Sequence, residues 1–169
     1  MLVEDGKLYF CTARGKDFFH QLEANGQAAV TGMNSRFQMV RLSGQARRLK
    51  AQKTWIDRIF AENPSMNSVY PGESRYILEP FCLDNGRIEF FDLGTEPINR
   101  AYFSLGKDAV GEKGFRITDA CIGCGRCKRH CPQQCIEKGS PYVICQTHCL
   151  HCGLCAEVCP VQAVVKRGG

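Results

Sequence analysis

The chain has 169 residues, enough for one ordinary domain or two small ones. Its hydrophobic content of 44% is typical of a globular protein, and no apolar run approaches the ~18 residues of a membrane span. The formal charge of +5 and the pI of 8.6 are only weak support for nucleic-acid binding. We therefore expect a globular protein whose partners are neither membranes nor nucleic acids.

The first half of the chain alternates predicted strands with two helices. It begins in a hairpin around Asp5-Gly6, without the basic start and apolar core of a signal peptide. The first helix carries Phe18, Phe19 and Leu22 on one face and ends at Asn25-Gly26, and the second stops before Pro64. The predicted elements are strands 2–3, 8–11, 28–33, 37–49, 76–83 and 87–93, with helices 17–25 and 54–62.

Two glycine-containing stretches divide the rest of the chain. Asp84-Asn85-Gly86 predicts a hairpin turn between the last two strands. Between Gly94 and Gly114 the pattern weakens, which predicts a connection between domains. We expect a partly open, mostly β barrel with two helices at 1–103, a linker at 104–114 and a small α+β domain at 115–169.

Three segments of the predicted barrel resemble the flavin-binding split barrel of the pyridoxamine phosphate oxidase superfamily. They are Leu8–Asp17, Gln21–Asn25 and Val40–Ala46, within a match that covers residues 1–93. The resemblance implies a homodimer formed through the barrel, with FMN at its interface. The implied flavin-contacting residues are Thr12 and Lys16 on the phosphate, Ala13 and Arg14 along its approach, and Gln38 and Arg41 facing the flavin. A helix start beside a cation is a natural phosphate site.

Two departures from that family alter the expected chemistry. The strand that usually precedes Leu2, with a phosphate-binding Arg-Pro element, is absent, so the start is truncated or flavin binding is weakened. The region that helps the oxidase bind its substrate is replaced by a cysteine-rich segment, which argues against vitamin B6 oxidation. The alternatives to flavin binding are that Lys16 is a solvated residue of the first helical turn, that Thr12 is a helix cap or a strand hydroxyl, and that Arg41 is an ordinary arginine on the barrel surface.

Two runs of cysteine dominate the last third of the chain. Each follows the spacing C-x2-C-x2-C-x3-C-P, from Cys121 to Pro132 and from Cys149 to Pro160. Every cysteine of the second run lies 28 positions after its counterpart in the first. This spacing is typical of bacterial ferredoxins with two 4Fe–4S clusters. The segment 115–166 resembles that ferredoxin domain, and electron transfer is the function that the resemblance implies.

The fourth cysteine of each run is expected to bind the cluster of the other run. Three cysteines two residues apart let a short loop wrap one cluster, whereas the fourth lies where the chain leaves that loop. One cluster would then be held by Cys121, Cys124, Cys127 and Cys159, and the other by Cys149, Cys152, Cys155 and Cys131. Eight thiolates and two oxidised cores would bring the net charge to about +1.

Zinc and disulfide alternatives fit the spacing less well. Zinc sites usually pair two C-x2-C hooks, and a disulfide framework needs an oxidising compartment. Metal-ligating cysteines instead indicate a reducing cytoplasm. We expect four cysteines outside the cluster sites, with Cys135 a packed thiol, Cys145 a nearby free thiol, and Cys11 and Cys82 buried in strands. Three histidines beside ligand cysteines are expected to donate hydrogen bonds or tune potential: His130, His148 and His151.

Three functional hypotheses follow from these residues. The leading one is a flavin–iron–sulfur electron-transfer protein, which would act as an FMN-dependent oxidoreductase. Its partner would be a redox protein or a reduced nicotinamide. The second is a ferredoxin-type carrier whose barrel binds no flavin and serves only to dimerise or dock. The third is a redox or oxygen sensor that uses the additional cysteines. No catalytic proton-transfer residues stand out in the sequence.

Overall fold

The computed structural model describes residues 1–107, 111 and 113–168. These residues group into two compact units, the first formed by 1–31, 41–88 and 103–107, and the second by 32–40, 89–102 and the described residues from 111 on. Several strands of the N-terminal sheet contribute residues to both units. The domain boundaries at 103, 104–114 and 115 stay a prediction.

A six-stranded sheet with helices beside it makes up the N-terminal part of the fold. The strand order is β1-β2-β5-β4-β3, and β6 pairs with β5. The strands are β1 (Leu2–Glu4), β2 (Lys7–Ala13), β3 (Gln27–Met33), β4 (Gln38–Arg48), β5 (Leu78–Asp92) and β6 (Asn99–Leu105). The helices are α1 (Asp17–Asn25), α2 (Gln52–Glu62) and the short α3 (Met66–Val69), with a 3-10 turn at Gly72–Ile77.

The two predicted helices are confirmed, and each buries apolar side chains, although Phe18 of the first helix is exposed rather than part of the buried face. Helix α1 buries Phe19 and Leu22 and ends at Gly26, whose left-handed φ of 66° lets its N–H donate to Leu22 O at 2.9 Å. Helix α2 starts two residues earlier than predicted and buries Ile56, Ile59 and Phe60.

The predicted hairpin around Asp84-Asn85-Gly86 is wrong. Strand β5 runs unbroken through these residues for 15 positions. A Cβ on Gly44 of β4 would overlap Asn85 O, and a Cβ on Gly86 would lie 3.0 Å from Gly44 Cα. The glycine at 86 therefore serves close approach between two strands rather than a turn.

The predicted connection from Gly94 to Gly114 is wrong in part. Residues 99–105 form strand β6, which pairs with β5. The polar side chains Asn99, Arg100 and Ser104 weaken the apolar alternation by which a strand is recognised.

The cysteine-rich segment has two short antiparallel strand pairs and two one-turn helices. Strand β7 (Phe115–Ile117) pairs with β10 (Val164–Lys166), and β8 (Ile136–Glu137) pairs with β9 (Val143–Ile144). Helices α4 (Arg126–His130) and α5 (Leu154–Glu157) contact each other, and a 3-10 turn spans Gln146–His148. Its buried core includes Phe115, Ile136, Tyr142, Ile144 and Val164 together with cysteines.

Internal duplication of this segment is visible in its backbone as well as in its cysteines. Left-handed φ angles recur 28 residues apart, at Gly123 and His151, at Gly125 and Gly153, and at Gln134 and Gln162. Gly125 and Gly153 immediately precede α4 and α5, where this conformation turns the chain into the helix. The two halves thus use one loop design, except that a histidine stands where the first half has Gly123.

Candidate functional site

Four cysteines and several apolar side chains surround a small cavity in the second unit. The cysteines are Cys121, Cys124, Cys127 and Cys159. The apolar lining comes from Ile117, Ile122, Pro160, Val161 and Val164. Cys124 is exposed and Cys127 is buried, so this cavity has one cysteine at the surface and one in the core.

A second small cavity repeats this arrangement. Its cysteines are Cys131, Cys149, Cys152 and Cys155, and the additional Cys135 also lines it. The apolar lining includes Phe115, Pro132, Ile136, Ile144 and Leu150. Here Cys152 is exposed, whereas Cys149 and Cys155 are buried.

The structure brings together the two groups of four cysteines that the sequence spacing predicts. Each cavity receives three cysteines from one run and the fourth from the other. Among residues 1–107, 111 and 113–168, no three Cys, His, Asp or Glu side chains converge tightly enough to hold a single metal ion. Four thiols spaced around an apolar volume suit a polynuclear cluster better than one zinc ion.

A hydrogen bond and burial shift the pKa values of two cysteines at the second cavity in opposite directions. The Cys135 thiol donates a hydrogen bond to Cys149 and is the main cause that lowers the Cys149 pKa to about 6. Burial raises the pKa of Cys155 to about 11. Thiolates are the form that binds iron, so metal binding at Cys155 must displace a proton.

The additional cysteines, which belong to neither group of four, differ in burial and in the atoms they contact. Cys135 is buried, as predicted, with its Sγ 3.6 Å from Cys131 Sγ. Cys145 Sγ lies 3.2 Å from Thr147 Oγ1. Cys82 is fully buried and Cys11 partly so. We expect these four thiols to play no part in holding the clusters.

Each of the three histidines has a hydrogen-bond partner. His130 Nδ1 lies 2.9 Å from Arg126 O, and His148 Nδ1 lies 2.8 Å from Ile98 O. His151 Nδ1 lies 3.1 Å from Arg100 Nη1. Because a guanidinium only donates, Nδ1 of His151 accepts this bond and the ring is neutral. Burial, assisted by Arg100, lowers the His151 pKa to about 4.

Sequence reasoning missed a buried polar cluster beside the second cysteine loop. Arg100 Nη1 donates to Glu89 Oε1 at 2.5 Å, and Tyr102 Oη lies 3.3 Å from the same carboxylate oxygen. Arg100 Nη2 also reaches Leu150 O at 3.4 Å. Glu89 lies in the β5 strand and the other two lie in β6, the segment whose strand character was not predicted.

Gly114 lies against the same loop, and its substitution is our first prediction. It has a φ of 101°, and a Cβ there would lie 2.5 Å from Gln146 Oε1 and 2.6 Å from His151 Nε2. We expect Gly114→Ala to lower the free energy of unfolding by about 2 kcal/mol through backbone strain and crowding. Thermal unfolding of the iron-loaded protein measures the effect.

Gly123→Ala is the matched control for this substitution. Gly123 has a φ of 71°, but a Cβ there would meet no described atom within 4 Å. It should therefore show the backbone penalty without the crowding. Equal losses in the two variants would contradict the proposed contacts of Gly114.

The residues expected to contact FMN are only partly brought together. Thr12, Ala13, Arg14 and Lys16 lie at the end of β2 and the start of α1. Thr12 and Ala13 are buried, whereas Arg14 Nη1 donates to Glu79 Oε1 at 2.8 Å and to Tyr76 O at 3.0 Å. Lys16 is exposed, next to the acidic Asp17 in the first turn of α1.

The two remaining candidates lie on β4. Gln38 Nε2 donates to Asp92 Oδ2 at 2.9 Å, and Arg41 is exposed. A phosphate at the start of α1 would compete with Glu79 for Arg14 and would be repelled by Asp17. The residues as arranged therefore do not form a ready phosphate cradle, and FMN binding by them stays a prediction.

No helix in the described ranges is long and apolar enough to cross a membrane.

Comparison with protein families identifies the cysteine-rich segment. Residues 120–163 match the family described as the 4Fe-4S dicluster domain. This match confirms the predicted iron–sulfur character of the segment and makes electron transport its chemistry. The search of the curated proteins found no match.

Comparison with solved structures identifies the fold of the N-terminal part. The chain is similar to a NimC/NimA family protein from Clostridium acetobutylicum, at 21% identity and a TM-score of 0.50. The alignment covers 62% of this chain and 69% of that protein. This likeness confirms the predicted mostly β fold, similar to a split barrel, and the family match confirms the ferredoxin-type domain that follows it.

Proposed function

We propose that the protein is an electron carrier in which two 4Fe–4S clusters are held by the two groups of four cysteines. The observation that carries this proposal is the pair of apolar cavities, each lined by three cysteines of one run and the fourth of the other. The clusters would supply one-electron acceptance and release. We further propose a reducing, cytoplasmic location, because the thiols must remain unoxidised to bind iron.

In this proposal the chain would bind each cluster through four cysteines, shield it from water and leave one of its cysteines exposed at the surface. Apolar side chains such as Ile117 and Phe115 keep water from the cluster sulfurs, which favours a low reduction potential. Cys124 and Cys152 are exposed. A partner protein could therefore approach each centre closely on the side of these two cysteines.

The experiment that tests this function is anaerobic purification followed by iron, sulfide and acid-released flavin assays. We expect about eight irons and eight sulfides per chain, with visible absorption that is bleached by dithionite. A stable, folded protein that takes up neither iron nor sulfide during anaerobic reconstitution would overturn the proposal.

The second candidate function adds FMN on a barrel homodimer, so that the protein is an FMN-dependent oxidoreductase supplied by a reduced nicotinamide or a redox protein. The split-barrel fold favours it, as does exposed Lys16 beside the start of α1. The ion pair between Arg14 and Glu79 disfavours it. No step of the proposed electron transfer depends on the flavin.

Flavin titration of a Lys16 variant tests this candidate and is our second prediction. If Lys16 binds the FMN phosphate, Lys16→Ala should weaken FMN binding about tenfold, the effect of losing one charged hydrogen bond, and leave the iron content unchanged. Lys7→Ala, at the opposite end of β2, is the matched control. Equal affinities in the two variants would discard the phosphate site, and no binding by wild type would leave the carrier function alone.

A further inference from the structure

The two cysteine loops share one backbone design but differ in the charges placed against them. The first loop receives Arg129, whose Nη1 donates to Cys124 O at 3.2 Å from an exposed position. The second receives Arg100, which is only 8% exposed and donates towards both His151 and Leu150. Solvent screens the first guanidinium much more than the second.

His151 joins the second loop to this buried cation. It occupies the position equivalent to Gly123 and has a φ of 57°, a conformation that costs a non-glycine residue free energy. Its ring stacks on Tyr102 at an interplanar angle of 9°, and its Nδ1 contacts both Arg100 and Tyr102. The strained backbone is therefore held by contacts with β6.

Glu89 forms an ion pair with Arg100, but the two charged groups differ in how directly they contact the second cysteine loop. The guanidinium contacts the loop directly, whereas the Glu89 carboxylate contacts Arg100 and Tyr102 of β6. The nearer charge dominates the potential at a given point. Lys113 and Arg167 add further positive charge near His151.

We propose that Arg100 is an electrostatic positioning residue that raises the reduction potential of the cluster held by Cys131, Cys149, Cys152 and Cys155 above that of the other cluster. Reduction adds one electron to a cluster core and makes it more negative, so a fixed buried cation stabilises the reduced form. An electron entering through the first cluster would then move to the second. This inference rests on the proposed iron–sulfur function.

The test is a dithionite titration of the iron-loaded protein followed by electron paramagnetic resonance. Paramagnetic NMR signals of the cysteine β-protons identify which cluster is reduced. Dithionite donates the single electrons. Arg100→Gln should shift the second cluster to a more negative potential, and Glu89→Gln should shift it to a more positive one. Arg129→Gln, the matched exposed arginine, should shift the first cluster by less than Arg100→Gln shifts the second.

A double variant guards against misfolding, because Arg100→Gln leaves the buried carboxylate of Glu89 without its partner. Arg100→Gln/Glu89→Gln removes both charges and should still place the second cluster at a more negative potential than wild type. Unchanged potentials, or shifts of the same sign in Arg100→Gln and Glu89→Gln, would overturn the inference while leaving the electron-carrier function intact. A wild-type protein without clusters would overturn the proposed function first.

Discussion

Replacing Cys159 with alanine is expected to remove the cluster of the first cysteine run, although Cys159 belongs to the second run. Cys159 lines the cavity of Cys121, Cys124 and Cys127 rather than that of its sequence neighbours. A 4Fe–4S cluster that loses one of its four thiolates is expected to be lost or to convert to a form with fewer irons. The iron content should fall from about eight per chain to between about four and about seven, and resonance spectra should retain the 4Fe–4S signal of the second cluster alone.

Cys131→Ala is the mirror of this experiment and should remove the second cluster while the first remains. Cys145→Ala is the matched control, because Cys145 lies outside both cavities and its thiol contacts Thr147. Both clusters should survive in that variant. Loss of the second cluster in Cys159→Ala would show that each run binds its own cluster, contrary to the interleaved arrangement.

The grouping of the cysteines around the two cavities was predictable because cluster chemistry dictates their spacing in the sequence. A cluster requires thiolates at short, fixed intervals and a fourth from a chain that is leaving the loop, so the pattern from Cys121 to Pro160 indicates the site without knowledge of the fold. Helix α1 was predictable for a related reason. Its apolar face and its terminal Gly26 are local signals, and the structure places both where the sequence indicates.

The buried ion pair was not predictable, since nothing local distinguishes it. Arg100 and Glu89 lie 11 residues apart on paired strands, and their contact arises only after β5 and β6 pair. Nothing in the sequence around an arginine tells whether its side chain will be buried or exposed. The one available signal was His151, which breaks the glycine repeat set by Gly123, but its partners follow only from the fold.

The misassigned hairpin has a physical explanation that a single substitution can test. Asn-Gly favours a turn, yet β5 continues through Asn85 and Gly86 because β4 approaches closely at Gly44. A tertiary contact has overridden a local preference. If residues 84–86 formed a hairpin turn, alanine at position 44 would be tolerated. The close approach of β4 and β5 instead predicts a large loss of stability.

Gly44→Ala is expected to lower the free energy of unfolding by about 3 kcal/mol, because its Cβ would overlap Asn85 O and push β4 from β5. For a chain of this size that corresponds to a fall in melting temperature of about 6–12 °C. Thermal unfolding followed by circular dichroism measures it. Gly32→Ala is the matched strand-glycine control, since a Cβ there would meet no described atom within 4 Å. Equal melting temperatures of the two variants would show that β4 and β5 do not approach closely at Gly44.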